Sequence, residues 1–134
     1  MTNDRSLYAY EGITFDDVLL IPAESSVLPR DVSIASKLTR AITLQTPMVS
    51  AAMDTVTETD MALKMFKAGG LGIVHRYNTI QEQASHINKV ESPRIIGAAI
   101  GVSGDYLERA SALVDFVADF LCVDVAHGHH IMMK

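Results

Sequence analysis

Cysteine is nearly absent from this sequence: Cys122 is the single thiol in 134 residues. One thiol excludes an intramolecular disulfide framework. There is no apolar run approaching the length that crosses a bilayer. The first residues, Met1-Thr2-Asn3-Asp4-Arg5-Ser6, lack the basic and apolar regions of a secretory signal. Basic residues are too few and too scattered to form a patch: 11 Lys and Arg stand against 16 Asp and Glu, a net charge of −5. Nucleic-acid binding therefore has no electrostatic support. No linker-like change of composition and no internal repeat divides the chain. These absences lead to the expectation of a soluble, cytoplasmic protein with no membrane and no nucleic-acid partner.

What is present suffices for a core. The hydrophobic fraction is 49% and the length is close to that of one domain. Residues 1–12 are mostly polar, with Tyr8 and Tyr10, and partial disorder is expected there. Asp16-Asp17 has the composition of a metal pair, but adjacent carboxylates face different ways, so a solvated turn or helix cap is expected. Val32 to Leu38 alternates apolar and polar residues and predicts a half-exposed strand, with Ala41 to Leu44 as a hairpin partner across Thr39-Arg40.

The centre of the chain is Pro47 to Glu58, an apolar run that ends in a polar turn. Thr59 to Ala68 reads as a helix with Met61, Met65 and Ala68 on one face. Gly69-Gly70 stops it, and Leu71 to His75 reads as a second buried strand, which makes a βαβ unit with a parallel crossover. Asn78 or Thr79 caps the next helix, with Gln81, Glu82 or Gln83 near its third position. Its apolar stripe is Ile80, Ala84, Ile87 and Val90, and residues 91–94 break it. Ile95 to Gly101 is a third strand, with side chains small enough for a crowded core. Gly104-Asp105 precedes a helix with Leu107, Ala110, Leu113 and Val114 at helical spacing. Phe120 to Val125 is a fourth strand, uninterrupted and expected to be buried on both faces. The order (βα)3β fits the N-terminal half of a (β/α)8 barrel, and the pattern alone leaves a flavodoxin-like sheet open.

In parallel α/β folds the loops beyond the carboxyl ends of the strands meet the ligand. Those loops hold Ser50, Met53, Asp54 and Thr55 after the first strand and His75-Arg76-Tyr77 after the second. Asp124 to His130 follows the fourth. A carboxylate at the end of a buried strand is costly unless something binds it. Asp124 is thus either a loop cap accepting backbone N–H groups or an acceptor for vicinal ribose hydroxyls. His127, His129 and His130 with Asp124 have metal-ligand chemistry, but no spaced cysteine or second carboxylate completes a set, so loop packing is the expectation. Arg76 is either a surface residue lying over apolar neighbours or a ligand contact. Cys122 lies inside a strand, where an inert thiol is expected rather than a nucleophile.

Two stretches carry a family resemblance: residues 13–33, ITFDDVLLIPAESSVLPRDVS, and residues 50–58, SAAMDTVTE. They resemble the start of the IMP dehydrogenase / GMP reductase family. The resemblance selects the barrel over other parallel sheets and makes 1–134 a partial catalytic domain that stops after the fourth strand. It places the antiparallel hairpin outside the barrel. The family often carries a pair of CBS modules after the second helix; here Val90 to Ile95 joins helix to strand directly. The activity implied is oxidation of IMP to XMP with NAD, with GMP reductase and NADPH as the rival. A non-catalytic half barrel is a third reading.

By the same resemblance Ser50 and Met53 lie under the purine nucleotide, and Asp54 orders their loop. Asp124 contacts the cofactor ribose, with Val125, Ala126 and Arg76 on the dinucleotide side. Many IMP dehydrogenases carry Asp-Ser-Ser-His-Gly-His-Ser or a close variant where this chain has Asp124-Val125-Ala126-His127-Gly128-His129-His130; Val125 and His130 replace common serines, so contacts through those hydroxyls are altered. Asp-Val-Ala also resembles GMP reductase. The family's nucleophilic cysteine belongs to a later glycine-rich loop, so no catalytic residue and no metal ligand is assigned within 1–134, and the chain alone is expected to be inactive. The family further implies a homo-oligomer, a tetramer, and a monovalent cation in the complete enzyme.

Overall fold

The computed structural model describes residues 12–90, 95–115 and 118–134. The polar N-terminus therefore falls outside the described residues, apart from Gly12, and so does the helix break at 91–94. The chain forms two compact units, Met1–Val32 and Ser33–Lys134. The described part of the first carries two 3-10 turns, Phe15–Asp17 and Pro29–Asp31, and none of its residues is buried. Asp17 closes a capping box whose N-cap is Thr14: its carboxylate accepts from the Thr14 hydroxyl at 3.0 Å, while Asp16 is exposed beside it.

The second unit begins with an antiparallel pair, β1 (Ser36–Lys37) and β2 (Thr43–Leu44). The strand expected over residues 32–38 is only two residues long. Its hairpin turns over residues 38–42 rather than across Thr39-Arg40 alone, because Thr39 Oγ1 accepts from the N–H groups of Ala41 and Ile42 and draws the chain out of the ladder.

Four parallel strands follow, each beside the next: β3 (Val49–Ser50), β4 (Leu71–Val74), β5 (Ile96–Ile100) and β6 (Phe120–Val123). Helices α1 (Thr59–Lys67), α2 (Ile80–Asn88) and α3 (Tyr106–Asp115) join them. Sequential parallel strands with one helix per crossover are the pattern of half a (β/α)8 barrel, as the sequence suggested. No described helix is long and apolar enough to cross a membrane.

Local chemistry sets the boundaries. α1 ends in a Schellman motif: Gly69, at φ +80, donates to Phe66 O, and Gly70 N–H reaches back to Met65 O. α2 starts with a full capping box between Thr79 and Glu82, and those hydrogen bonds hold the Glu82 carboxyl below its usual range. Gly104, at φ +67, turns the chain into α3.

The core lies between sheet and helices: Ala62, Val74, Ile87, Val90, Ile96, Ala98, Ile100 and Leu113. Gly72 sits directly against α1, so close that a Cβ there would fall 2.5 Å from Ala62 Cα. The inward residue of α1 is accordingly Ala62, whereas Met61 and Ala68, expected inside, are exposed. In α3, Leu113 faces the core as expected, but Leu107 and Val114 point outward and Arg109 is buried in their stead. β6 is only partly buried, against the expectation for an uninterrupted apolar run: it is an edge of the described sheet, covered on one side by β5.

Candidate functional site

The βα loops gather at the carboxyl edge of the sheet. In the first, Met53 O accepts from Val56 N–H and Thr57 N–H, so the chain turns tightly after β3. Thr57 is fully buried; its hydroxyl donates to Ala51 O at 2.6 Å and lies 2.9 Å from Ser50 Oγ. Ser50 is thereby held at the strand end, and the Met53 side chain stays half exposed above it. The loop is ordered by Thr57 and its own backbone. Asp54, expected to order it, is exposed, and its carboxylate has no hydrogen-bond partner among the described residues.

Glu58 closes this loop and faces β4. His75, at the end of β4, is buried, and its Nδ1 accepts from Tyr77 N–H, so the ring proton sits on Nε2 and donates to Glu58 Oε1 at 3.2 Å. His86 Nε2 lies 3.7 Å from the same oxygen, and Thr59 Oγ1 is 3.0 Å from His86 Nδ1. This Glu-His-His cluster ties the first loop to β4 and α2. The spacing of the three residues along the chain gave no signal for it. A cavity of about 500 Å3 with mixed lining opens beside it, bordered by Asp54, Glu58, Met61, Lys64, His86 and Lys89 among others.

Arg76 and Asp124 come together. Arg76 Nε lies 3.7 Å from Asp124 Oδ2, and Nη2 donates to Asp124 O at 3.4 Å. The guanidinium also lies over the Tyr77 ring, 5.3 Å from its centroid. On another side it meets Gly101, where an added Cβ would come within 3.4 Å of Nη1. Arg76 Nε is buried and has no hydrogen-bond partner. The Asp124 side chain keeps 37% of its surface open, and its backbone N–H is bound to Ile100 O. The alternative of Asp124 as a cap for backbone N–H groups gives way to this pairing with a guanidinium.

Val125 and Ala126 continue from Asp124 into the wall of an apolar cavity of about 200 Å3, shared with Val102, His127, His130 and Met132. His130 Nδ1 accepts from Met132 N–H and caps the 3-10 turn Ile131–Met133. His127 and His129 have ring centroids 6.4 Å apart. Among the described residues no group of three side chains could hold a metal ion. Cys122 is part-buried in β6; burial, with the Asp124 charge adding to it, pushes its thiol above the usual range.

The site is thus a row along the strand ends. Ser50 and Met53 stand at the β3 end and Asp124, Val125 and Ala126 at the β6 end. Arg76 lies between them and leans toward Asp124. Three strand spacings separate the ends, roughly 14 Å along the sheet.

A model of the IMP dehydrogenase / GMP reductase domain matches residues 12–134. An inosine-5'-monophosphate dehydrogenase of Bacillus subtilis (strain 168) is 52% identical over 87 residues, which cover 65% of this chain and 18% of the relative. The enzyme of the same name from Borreliella burgdorferi is 35% identical over 170 residues, covering 89% of this chain and 42% of the relative. That from Chlorobaculum tepidum is 52% identical over 82 residues, covering 61% and 17%. The chain spans less than half the length of each.

Proposed function

Because this chain belongs to the IMP dehydrogenase / GMP reductase family, we propose that its strand-end row is the nucleotide and dinucleotide face of an IMP dehydrogenase. The reaction is oxidation of IMP to XMP with NAD and water. Ser50 and Met53 contact the purine nucleotide. Asp124 takes the dinucleotide ribose, with Arg76, Val125 and Ala126 beside it.

The observation that carries this reading is the incomplete pair at Arg76 and Asp124. Arg76 Nε is buried with no acceptor, and the nearest carboxylate oxygen, at 3.7 Å, is too far for a hydrogen bond. The Asp124 carboxylate, 37% open, can accept from a ribose hydroxyl, with the Arg76 guanidinium beside it. The apolar cavity next to Val125 and Ala126 offers a dry surface for a flat ring on the same side.

NAD supplies the hydride acceptor when bound. The residues of this chain bind and orient: the Arg76 guanidinium stands beside the Asp124 carboxylate, and Thr57 fixes Ser50 where a ribose or base passes over β3. Covalent attack on the purine needs a thiolate, and Cys122 is unsuited, with its thiol pushed up by burial. The nucleophile of the proposed reaction therefore comes from outside these 134 residues.

GMP reductase is the second reading, favoured by the Asp124-Val125-Ala126 sequence; the relatives above carry the dehydrogenase name. The test follows nicotinamide absorbance in an enzyme that joins these residues to the part supplying the thiolate, first with IMP plus NAD, then with GMP plus NADPH. Turnover of the first pair only supports the dehydrogenase. Turnover of the second pair only replaces it with the reductase.

A further inference from the structure

Two polar side chains are buried beneath the strand-end row without touching it. Gln83 of α2 is fully buried, and its amide nitrogen donates to two strand carbonyls, Val74 O at 3.2 Å and Ala99 O at 2.9 Å. Its Oε1 accepts from Arg109 Nη1 at 2.8 Å. Arg109 of α3, only 6% exposed, reaches with Nη2 to Asn78 O at 3.0 Å and to Asp105 Oδ2 at 2.7 Å. The bonds to Val74, Ala99, Gln83 and Asn78 each join a different pair of elements, and the bond to Asp105 is an i,i+4 pair at the start of α3.

Core stability by itself would not require this arrangement, because apolar side chains of similar volume fill such a site at no polar cost. What the arrangement does is geometric. Asn78 O belongs to the loop after β4, two residues beyond Arg76. Asp105 belongs to the loop after β5, which starts at Gly101, the residue against which the Arg76 guanidinium rests. Arg109 thus ties together the two loops that bracket Arg76, and Gln83 anchors Arg109 to the strands beneath. We propose that Arg109 and Gln83 are positioning residues: they set the two loops that hold the Arg76 guanidinium beside Asp124, and through that pair they set dinucleotide affinity. The second half rests on the reading of Arg76 and Asp124 as dinucleotide contacts.

The planar fork of arginine makes the proposal testable. Arg109→Lys keeps the charge beside Asp105 but cannot bond Gln83, Asn78 and Asp105 together. Asp105→Asn is the milder change at a half-exposed position, and it carries the test if the lysine variant does not fold. The ligand-free measurement is the side-chain Nε–H resonance of Arg76, assigned by its loss in Arg76→Ala. Both variants are expected to shift or broaden it.

With NAD and IMP as probes, Arg109→Lys is expected to weaken NAD about tenfold and to leave IMP within about twofold. In an Arg76→Ala background the same change is expected to cost no further NAD affinity, because its route is already removed. An Arg76 resonance unmoved in both variants overturns the proposal. So does a loss of NAD affinity that adds in full in the Arg76→Ala background, which would make Arg109 a core residue only. If the unaltered protein binds no NAD, the functional reading fails, and the Arg76 resonance decides the positioning role alone.

Discussion

Arg76 and Asp124, 48 positions apart in the chain, meet at the carboxyl ends of β4 and β6, with Nε 3.7 Å from Oδ2. The separation is too long for a hydrogen bond and short enough for a strong field, which leaves the part-exposed Asp124 carboxylate as an acceptor beside a cation. Asp124→Ala removes the acceptor. It is expected to weaken NAD about ten- to a hundredfold, the loss of one charge-assisted hydrogen bond, and to leave IMP affinity unchanged. Calorimetric titration with each ligand checks this. Unchanged NAD affinity with a lower melting temperature would make Asp124 a loop residue.

Asp105 supplies a pH dependence. Hydrogen bonds from Arg109 hold its carboxyl below the ordinary aspartate range. A depressed folded-state value means that the unfolded chain binds the proton first. The stabilisation is fully present above the ordinary aspartate range and is lost as pH falls through the depressed value. Asp105→Asn should therefore be less stable than the unaltered protein at neutral pH, with the gap closing in strong acid. Urea unfolding over a pH series measures it; a gap that persists in acid would mean that the carboxylate charge is not its source.

The layout was legible in the sequence because it rests on local pattern. Short apolar runs with glycine stops gave β4 and β5, and a cap at Asn78 or Thr79 gave the start of α2, which the structure sets at Thr79 with Glu82. Ser50, Asp124 and Arg76 were legible as strand-end residues beside a family string. The pairing of Arg76 with Asp124 was not, because a contact across 48 residues leaves no periodic trace. Gln83 and Arg109 were missed for a related reason. Polar residues on a helix read as outward until a buried partner is known: Gln83 is satisfied by two strand carbonyls and Arg109, and Arg109 by Gln83, Asn78 O and Asp105. Leu107 and Val114 were placed inside on helical spacing, while the buried Arg109 and Leu113 set which way α3 faces.

Gly72 and Gly104 make a contrast in stability. A Cβ at Gly72 would meet the α1 backbone at Ala62, and neither element can yield without moving the crossover. Gly72→Ala is expected to cost on the order of 1–3 kcal/mol. Gly104 has open space around it but a φ of +67, so Gly104→Ala costs only backbone strain, about 1 kcal/mol. Chemical denaturation of both variants tests the order. A larger loss at Gly104 would refute the tight approach of α1 to β4.

Cys122 is the only thiol, and its surroundings oppose a nucleophilic role. It sits within β6 where burial raises its pKa, and the Asp124 charge raises it further. At neutral pH its thiolate fraction is therefore smaller than that of a free cysteine, and both alkylation and nucleophilic attack follow the thiolate. Iodoacetamide is expected to modify Cys122 more slowly than free cysteine at the same pH. Asp124→Asn removes one of the two causes and should speed that reaction, which ties the thiol to the strand-end carboxylate. If Cys122 only packs, Cys122→Ser, made in an enzyme that also carries the part supplying the thiolate, keeps the rate of IMP-dependent NAD reduction. Loss of turnover in Cys122→Ser, with IMP and NAD still bound, would put the nucleophile in β6 and overturn the division of labour proposed above, in which these residues bind and orient while the thiolate comes from elsewhere.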